Sequence, residues 1–127
     1  MTSRIFKTRF FDRQMQKIGL SDELLLNAVY EMERGLIDAD LGGGVVKKRI
    51  ALPNRGKSGS TRTLIATNKN DRWFFMFGFE KNQRDNINEK ELRFLKDFAA
   101  DLLTFADARL SNALESKDLW EISNEQK

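Results

Sequence analysis

The sequence predicts an α+β fold in one domain, and three observations lead to this prediction. Two helical patterns lie near the N-terminus, a group of β-type segments follows, and a longer helical pattern comes last. A chain of 127 residues, 40% of them hydrophobic, suits one compact core. We therefore expect an antiparallel sheet with two N-terminal helices and a long C-terminal helix. This domain should cover residues 1–110, and residues 111–127 should form a C-terminal tail.

The first strand and the first helix are predicted from short local patterns. Residues Arg4 to Thr8 favour a short strand. A short helix should follow, because apolar residues recur at four- and three-residue spacing before Gly19: Phe11, Met15 and Ile18.

The second helix has both a start signal and an apolar face. Ser21 is a typical N-cap, with two acidic residues in the turn that follows. Its apolar face consists of residues at helical spacing: Leu25, Val29, Met32 and Leu36. The next segment, IDADLGGG, has three consecutive glycines and no periodicity, so we expect a flexible loop there.

Three strands should form an antiparallel meander: Val45 to Leu52, Thr61 to Asn68 and Arg72 to Phe79. In the third strand, the alternate aromatic residues from Trp73 to Phe79 are separated by residues that are also apolar or small. A strand that is apolar on both faces belongs in the middle of a sheet. We therefore expect helices to cover much of the sheet.

The long C-terminal helix is predicted from a cap and a periodic pattern. Asn88 and Glu91 have the spacing of a capping box. Apolar residues then repeat every three or four positions: Leu92, Leu95, Ala99, Leu102 and Ala106. From Asp107 onward the pattern indicates a short docked tail containing LWEI, for which we predict no function.

Composition excludes several classes of function. Without cysteine there are no disulfides or thiolate metal sites, and without histidine the common catalytic triads and usual zinc sites are ruled out. We expect no metal and no cofactor. The N-terminus lacks the apolar run of a signal peptide, and no stretch reaches the length of a membrane span. A cytoplasmic protein without membrane contact is the expectation.

The positive charge is concentrated in the middle of the chain, although the net charge is only +3. Residues 41–70 contain seven basic residues and no acidic one. By the two-residue period of a strand, Lys47 and Arg49 project together, opposite to Val46 and Lys48. With Arg62 on the next strand, and with two cations after the third strand, up to five positive charges converge: Lys47, Arg49, Arg62, Lys81 and Arg84. Such a cluster suits phosphodiester chemistry; a solvated basic surface is the alternative interpretation.

Two further patterns in this region have alternative interpretations. The segment ALPNRGKS matches a nucleotide-binding phosphate loop except that Ala51 replaces the first glycine. A strand follows it where that motif requires a helix, so we interpret it as a basic hairpin turn. Phe74 or Phe79 would stack an RNA base if either lay at the rim of a cleft, although aromatic residues at this spacing are typical of a core.

Three segments closely resemble the HigB-like branch of the RelE/ParE superfamily of toxins: EMERGLIDADLGGGVVKKRIA, GKSGSTRTLIA, and FFMFGFEKNQRDNI followed by ELRFLK. The resemblance implies a curved antiparallel sheet with two N-terminal helices on one face. It also implies a ribosome-dependent messenger-RNA endoribonuclease without a cofactor, in which a ribose 2′-hydroxyl attacks the adjacent phosphate. The catalytic residues that it implies are Lys47, Arg49, Arg62, Lys81 and Arg84. We further predict that three other basic residues of this region bind the RNA: Lys48, Arg55 and Lys57.

The chain departs from some relatives at the proton-transfer group. Where they have a tyrosine, this sequence has Ile87, and its only tyrosine is Tyr30. We therefore expect a lysine, Lys47 or Lys81, to act as the general base. The expected partners are an antitoxin with a helix-turn-helix domain, the ribosome and messenger RNA. The alternatives are a ParE-like toxin that inhibits gyrase and a nucleic-acid-binding module without catalysis.

Overall fold

In a computed structural model, described for residues 3–52, 60–81 and 83–122, the chain forms one six-stranded sheet with two pairs of helices. The sheet order is β2-β3-β4-β5-β1-β6. None of the helices in these residues is long and apolar enough to cross a bilayer. In chain order the elements are β1 Arg4–Thr8, α1 Arg9–Ile18, α2 Asp22–Glu33, β2 Ala39–Gly42, β3 Val45–Ala51, β4 Ser60–Thr67, β5 Arg72–Glu80, α3 Glu89–Leu103, α4 Asp107–Glu115 and β6 Leu119–Ile122.

The predicted meander is present, because β3 pairs antiparallel with β4 and β4 pairs antiparallel with β5. β5 lies in the sheet interior, as its two apolar faces predict, since β1 pairs with its other edge. The pairing of β1 with β5 is parallel, so the sheet is only mostly antiparallel.

A bulge in β5 changes which aromatic side chains share a face. Leu64 pairs with Phe77 and the next residue, Ile65, pairs with Phe75, so Met76 is an extra residue in β5. Phe75 therefore packs in one core, while Met76 and Phe77 both contact the other. The strict alternation expected from Trp73 to Phe79 is wrong beyond this point.

Two hydrophobic cores lie on opposite faces of the sheet. Helices α1 and α2 pack on one face, where Phe11, Leu25 and Val29 are almost completely buried. Helices α3 and α4 pack on the other, where Leu95 and Leu110 contact the sheet. The alternation along β3 and β4 thus determines which helical layer each side chain meets.

The start of α2 and the end of α1 follow the sequence signals. The Ser21 hydroxyl accepts a hydrogen bond from the Leu24 N–H, and Gly19 ends α1 with a φ of 94°. Helix α2 ends earlier than expected, because Arg34 is its C-cap and Gly35 takes a left-handed conformation. Leu36, expected on the apolar face of this helix, is therefore 54% exposed.

The glycine-rich segment is not the flexible loop that we expected. Residues Ala39–Gly42 form the edge strand β2, paired antiparallel with β3. The glycines make the turn between them, and Gly42, Gly43 and Gly44 all have positive φ. A Cβ on Gly44 would lie 2.8 Å from Leu103 Cδ1, so the glycine also allows α3 to approach the sheet.

The C-terminal region contains two helices rather than one long helix. The capping box of Asn88 and Glu91 is present, but α3 ends at Leu103 and Ala106 becomes the N-cap of α4. The tail segment LWEI forms β6, which pairs antiparallel with β1. The expected boundary between residues 110 and 111 falls within α4, so the described part of the tail joins the same sheet and core.

Replacing Leu95 by aspartate tests how α3 packs. Leu95 is 4% exposed, so the variant buries an unpaired charge and should lose at least about 3 kcal/mol of unfolding free energy. Phe94→Asp is a matched control, because Phe94 precedes Leu95 in α3 but is 65% exposed. This change should lower the unfolding free energy by about 1 kcal/mol or less. Urea denaturation of both variants measures the difference, and equal midpoints would contradict the packing of α3.

Candidate functional site: a cationic pocket on β3 and β4

Three of the predicted catalytic cations line one small pocket of about 210 Å³. Arg49 and Arg62 are directly paired across β3 and β4, so their side chains leave the same face of the sheet. Lys47 lies two residues before Arg49 and shares that face. Asp38, just before the edge strand β2, and Ala39, its first residue, complete the described lining.

The two paired arginines are an unfavourable arrangement for the fold alone. Like charges directly opposite each other in a sheet destabilise it. Among the described residues, no ion pair within 4.0 Å neutralises Lys47, Arg49 or Arg62. The half-buried Arg62 also has its Nη1 shielded from solvent without a hydrogen-bond partner. An oxyanion in the pocket would reduce the repulsion between the two guanidinium groups.

Asp38 holds one wall of the pocket in place. Its Oδ2 accepts a hydrogen bond from the Arg49 N–H at 2.5 Å, and its own N–H donates to the Lys47 carbonyl at 3.0 Å. These two hydrogen bonds continue the contact between β2 and β3 by one residue beyond Ala39. Asp38 is not among the site residues predicted from the sequence, because the segment that contains it was expected to form a flexible loop. The alternation in IDADL was the signal available for a strand.

Lys48, which was predicted to bind RNA, lies on the opposite face of β3. It is 7% exposed, and its Nζ lies 2.8 Å from Glu31 Oε1 and 2.8 Å from the Leu36 carbonyl oxygen. This cation therefore joins β3 to the C-terminal end of α2. Its side chain does not line the pocket.

Arg84 is engaged in a different interaction near the start of α3. Its guanidinium makes two hydrogen bonds to the Glu91 carboxylate, at 2.9 and 2.5 Å, and stacks 5.5 Å from the centre of the Phe79 ring. The hydrogen bonds to Glu91 raise the pKa of Arg84, and those from Arg84 lower the pKa of Glu91. Arg84 lines a separate cavity beside α1. Arg84 therefore does not line the cationic pocket, contrary to the expected convergence of five cations.

The other predicted residues are placed as follows. Lys81 is exposed in the turn after β5 and does not line the pocket. Arg55 and Lys57 lie outside the described residues. Phe74 and Phe79 are buried, at 0% and 4% exposure, so neither presents a free ring face for stacking a base.

One larger concave surface lacks this concentration of charge. An apolar groove of about 530 Å³ lies between α1, β5 and α3, and the exposed rings of Phe10 and Phe94 line it. Its two charged lining residues are Lys90 and Glu91, and the latter is paired with Arg84. Phosphate recognition requires several unpaired cations at one point, and only the smaller of these two pockets offers them.

The described residues offer little for metal binding or for tyrosine chemistry. They contain no group of three or more aspartate and glutamate side chains arranged to hold a metal ion. Tyr30 lies on α2, away from the described lining of the pocket, and Ile87 packs against the core on the α3 side of the sheet.

Residues 3–122 match a family model described as RelE toxin of RelE / RelB toxin-antitoxin system. No curated protein matches the chain significantly. The matched range runs from before β1 to the end of β6, so it includes every element that forms the cationic pocket.

Proposed function

The chain belongs to the RelE toxin family of RelE/RelB toxin–antitoxin systems, and from this premise we propose that it is an endoribonuclease that cuts messenger RNA on the ribosome. The observation that carries the proposal is the direct pairing of Arg49 with Arg62 beside Lys47, without a neutralising carboxylate contact among the described residues. This arrangement suits a phosphodiester better than any other common ligand, because its anionic oxygens satisfy several fixed donors at once.

The proposed reaction is an attack of a ribose 2′-oxygen on the adjacent phosphorus. The bond from phosphorus to the 5′-oxygen breaks, which leaves a 2′,3′-cyclic phosphate on one fragment and a 5′-hydroxyl on the other. Negative charge increases on the phosphoryl oxygens as the new bond forms. Arg49 and Arg62 would stabilise this charge from fixed positions in the sheet, and Lys47 would contact the departing oxygen.

The remaining predicted cations have lesser roles in this proposal. Arg84 acts mainly in positioning the start of α3, because its guanidinium is bound to Glu91. Lys48 is structural, since Glu31 and Leu36 already occupy its ammonium group. Lys81, Arg55 and Lys57 are proposed to contact the RNA backbone outside the pocket, where charge attracts phosphate without base specificity.

The ribosome would supply the orientation that a shallow cationic pocket lacks. Holding the 2′-oxygen in line with the scissile bond lowers a barrier by about 7 to 11 kcal/mol in favourable systems. The toxin would therefore act in the cytoplasm, on translated messenger RNA. The motifs around Lys47, Arg62 and Arg84 support the further proposal that the chain belongs to the HigB-like branch.

An antitoxin is the partner that membership of a toxin–antitoxin family implies. The resemblance supports an inhibitor with a helix-turn-helix DNA-binding domain. Such an inhibitor would protect the host either by covering the cationic pocket or by blocking entry to the ribosome.

Removing the pocket cations should slow cleavage strongly without unfolding the protein. Arg62→Ala, or Lys47→Ala with Arg49→Ala, should reduce the cleavage rate by about a hundred- to a thousand-fold, because each change removes fixed charge stabilisation. Arg93→Ala on the exposed surface of α3 is the control and should cleave normally. Cleavage is measured in a cell-free translation reaction, in parallel with a gyrase supercoiling assay. Inhibition of supercoiling with intact messenger RNA would instead favour the ParE-like alternative.

Cleavage should depend on the ribosome and not on a divalent ion in the pocket. Isolated ribosome complexes, briefly exposed to toxin in excess chelator, should still yield cut messenger RNA, because the described pocket offers only one carboxylate ligand. Naked RNA of the same sequence should be cut poorly, since it lacks orientation. Equal cleavage of naked RNA, or activity restored only by added divalent ions, would refute this mechanism.

Co-expression should identify the antitoxin. Growth of cells that express the toxin should stop, and expression of the neighbouring reading frame should restore it, because a bound inhibitor prevents access to messenger RNA. The complex is then tested by co-purification and by binding of the inhibitor to its own promoter DNA. Failure of every adjacent frame to restore growth would count against an adjacently encoded inhibitor.

A further inference from the structure

The cationic pocket contains one carboxylate, Asp38, among its described lining residues. A negative charge beside a phosphate-binding pocket opposes phosphate binding, so its presence requires an explanation. Asp38 does not neutralise the cations, because it makes no ion pair within 4.0 Å with Lys47, Arg49 or Arg62 in the described structure.

The backbone of β3 prevents this carboxylate from turning onto the guanidinium groups. Asp38 Oδ2 accepts the Arg49 N–H, and the Asp38 N–H is bound to the Lys47 carbonyl, so both the side chain and the backbone are attached to β3. Oδ1 has no hydrogen-bond partner among the residues that the structure describes. One oxygen is thus anchored, and the other is available to a ligand in the pocket.

We infer that Asp38 is the general base that removes the proton from the attacking 2′-hydroxyl. This assignment rests on the proposed function, and it names a residue for the proton transfer for which the sequence suggested a lysine. A general base must reach the hydroxyl to within about 2.6–3.2 Å. A phosphate held by Arg49 and Arg62 brings the neighbouring ribose to the wall that Asp38 forms.

The proton transfers balance without a further reactant. The 2′-hydroxyl proton moves to Asp38 Oδ1 as the 2′-oxygen bonds to phosphorus. The bond from phosphorus to the 5′-oxygen breaks, and that oxygen takes a proton from the Lys47 ammonium group. Solvent then removes the proton from Asp38 and returns one to Lys47, so both side chains regain their starting states.

A carboxylate fits this role better than a lysine in the same pocket. A lysine amine accepts a proton only after losing its own, and it then no longer supplies the positive charge that the phosphate requires. Asp38 accepts a proton while all three cations still carry their charge during the attack. The charged groups that face it are Lys47 and Arg49 from β3 and Arg62 from β4.

The test compares Asp38→Asn with Asp40→Asn, two residues further along the chain in the edge strand β2. The asparagine oxygen can still accept the Arg49 N–H, so Asp38→Asn removes the base and keeps the anchor. Asp40 pairs with Lys69 outside the described pocket lining, which makes Asp40→Asn a control for loss of one charge. Both variants and the wild type are assayed by single-turnover cleavage of ribosome-bound messenger RNA across a range of pH, with melting temperatures measured in parallel.

Asp38→Asn should cleave about a hundred- to ten-thousand-fold more slowly than wild type, with a similar melting temperature. Its residual rate should also lose the decline at acidic pH that titration of a base produces, whereas Asp40→Asn should keep the wild-type rate and profile. An Asp38→Asn rate within threefold of wild type, or a slow variant that keeps the acidic decline, overturns the assignment of Asp38 alone. Absence of cleavage by the wild type overturns the proposed function and this assignment with it.

Discussion

The antiparallel pairing of β3 with β4 determines which side chains of the sheet meet each helical layer. Val46 and Ile50 point into the core beneath α1 and α2, while Lys47 and Arg49 point to the other face. A slip of one residue would place both cations in an apolar core and expose two aliphatic side chains. The free energy gained by burying those aliphatic residues therefore also fixes Arg49 opposite Arg62.

The pocket is unfavourable for stability and useful for binding for the same reason. Cations that are held together by the sheet repel each other, and burial of Arg62 Nη1 without a partner adds a desolvation cost. Surrounding hydrophobic contacts offset this cost, because β3 and β4 lie between two helical layers. A ligand with several anionic oxygens then meets donors that need little rearrangement, which is the requirement for stabilising charge that develops during a reaction.

Sequence patterns predicted the elements whose signals are local. The strand β1, the Ser21 cap and the capping box of α3 depend on residues within four positions of each other, and all are present. The edge strand β2 was missed because its glycines serve a turn, and the bulge at Met76 was missed because pairing with β4 decides it. Local patterns could not predict contacts that only the folded sheet creates.

The same limit applied to the candidate site. Alternation in VVKKRIA correctly separated Lys47 and Arg49 from Lys48, but it could not show that Glu31 binds Lys48. Nor could it bring Asp38 to the pocket, since that contact requires β2 to pair with β3. The basic residues of β3 thus identified the region of the candidate site. Whether each cation is free to bind a ligand, however, depends on whether a carboxylate already pairs with it in the fold.

Arg84 shows how such a contact separates the stability of the fold from the chemistry of the site. Its hydrogen bonds lower the pKa of Glu91, whose carboxylate also accepts the Asn88 N–H at the start of α3. A carboxyl group with a lowered pKa in the folded state stabilises the fold above its unfolded pKa, and this contribution is lost as the pH falls through the folded value. Acid therefore weakens the start of α3, whose ion pair of Arg84 with Glu91 lies outside the described lining of the cationic pocket. The cations of the pocket and the ion pair that secures the start of α3 thus belong to separate parts of the fold.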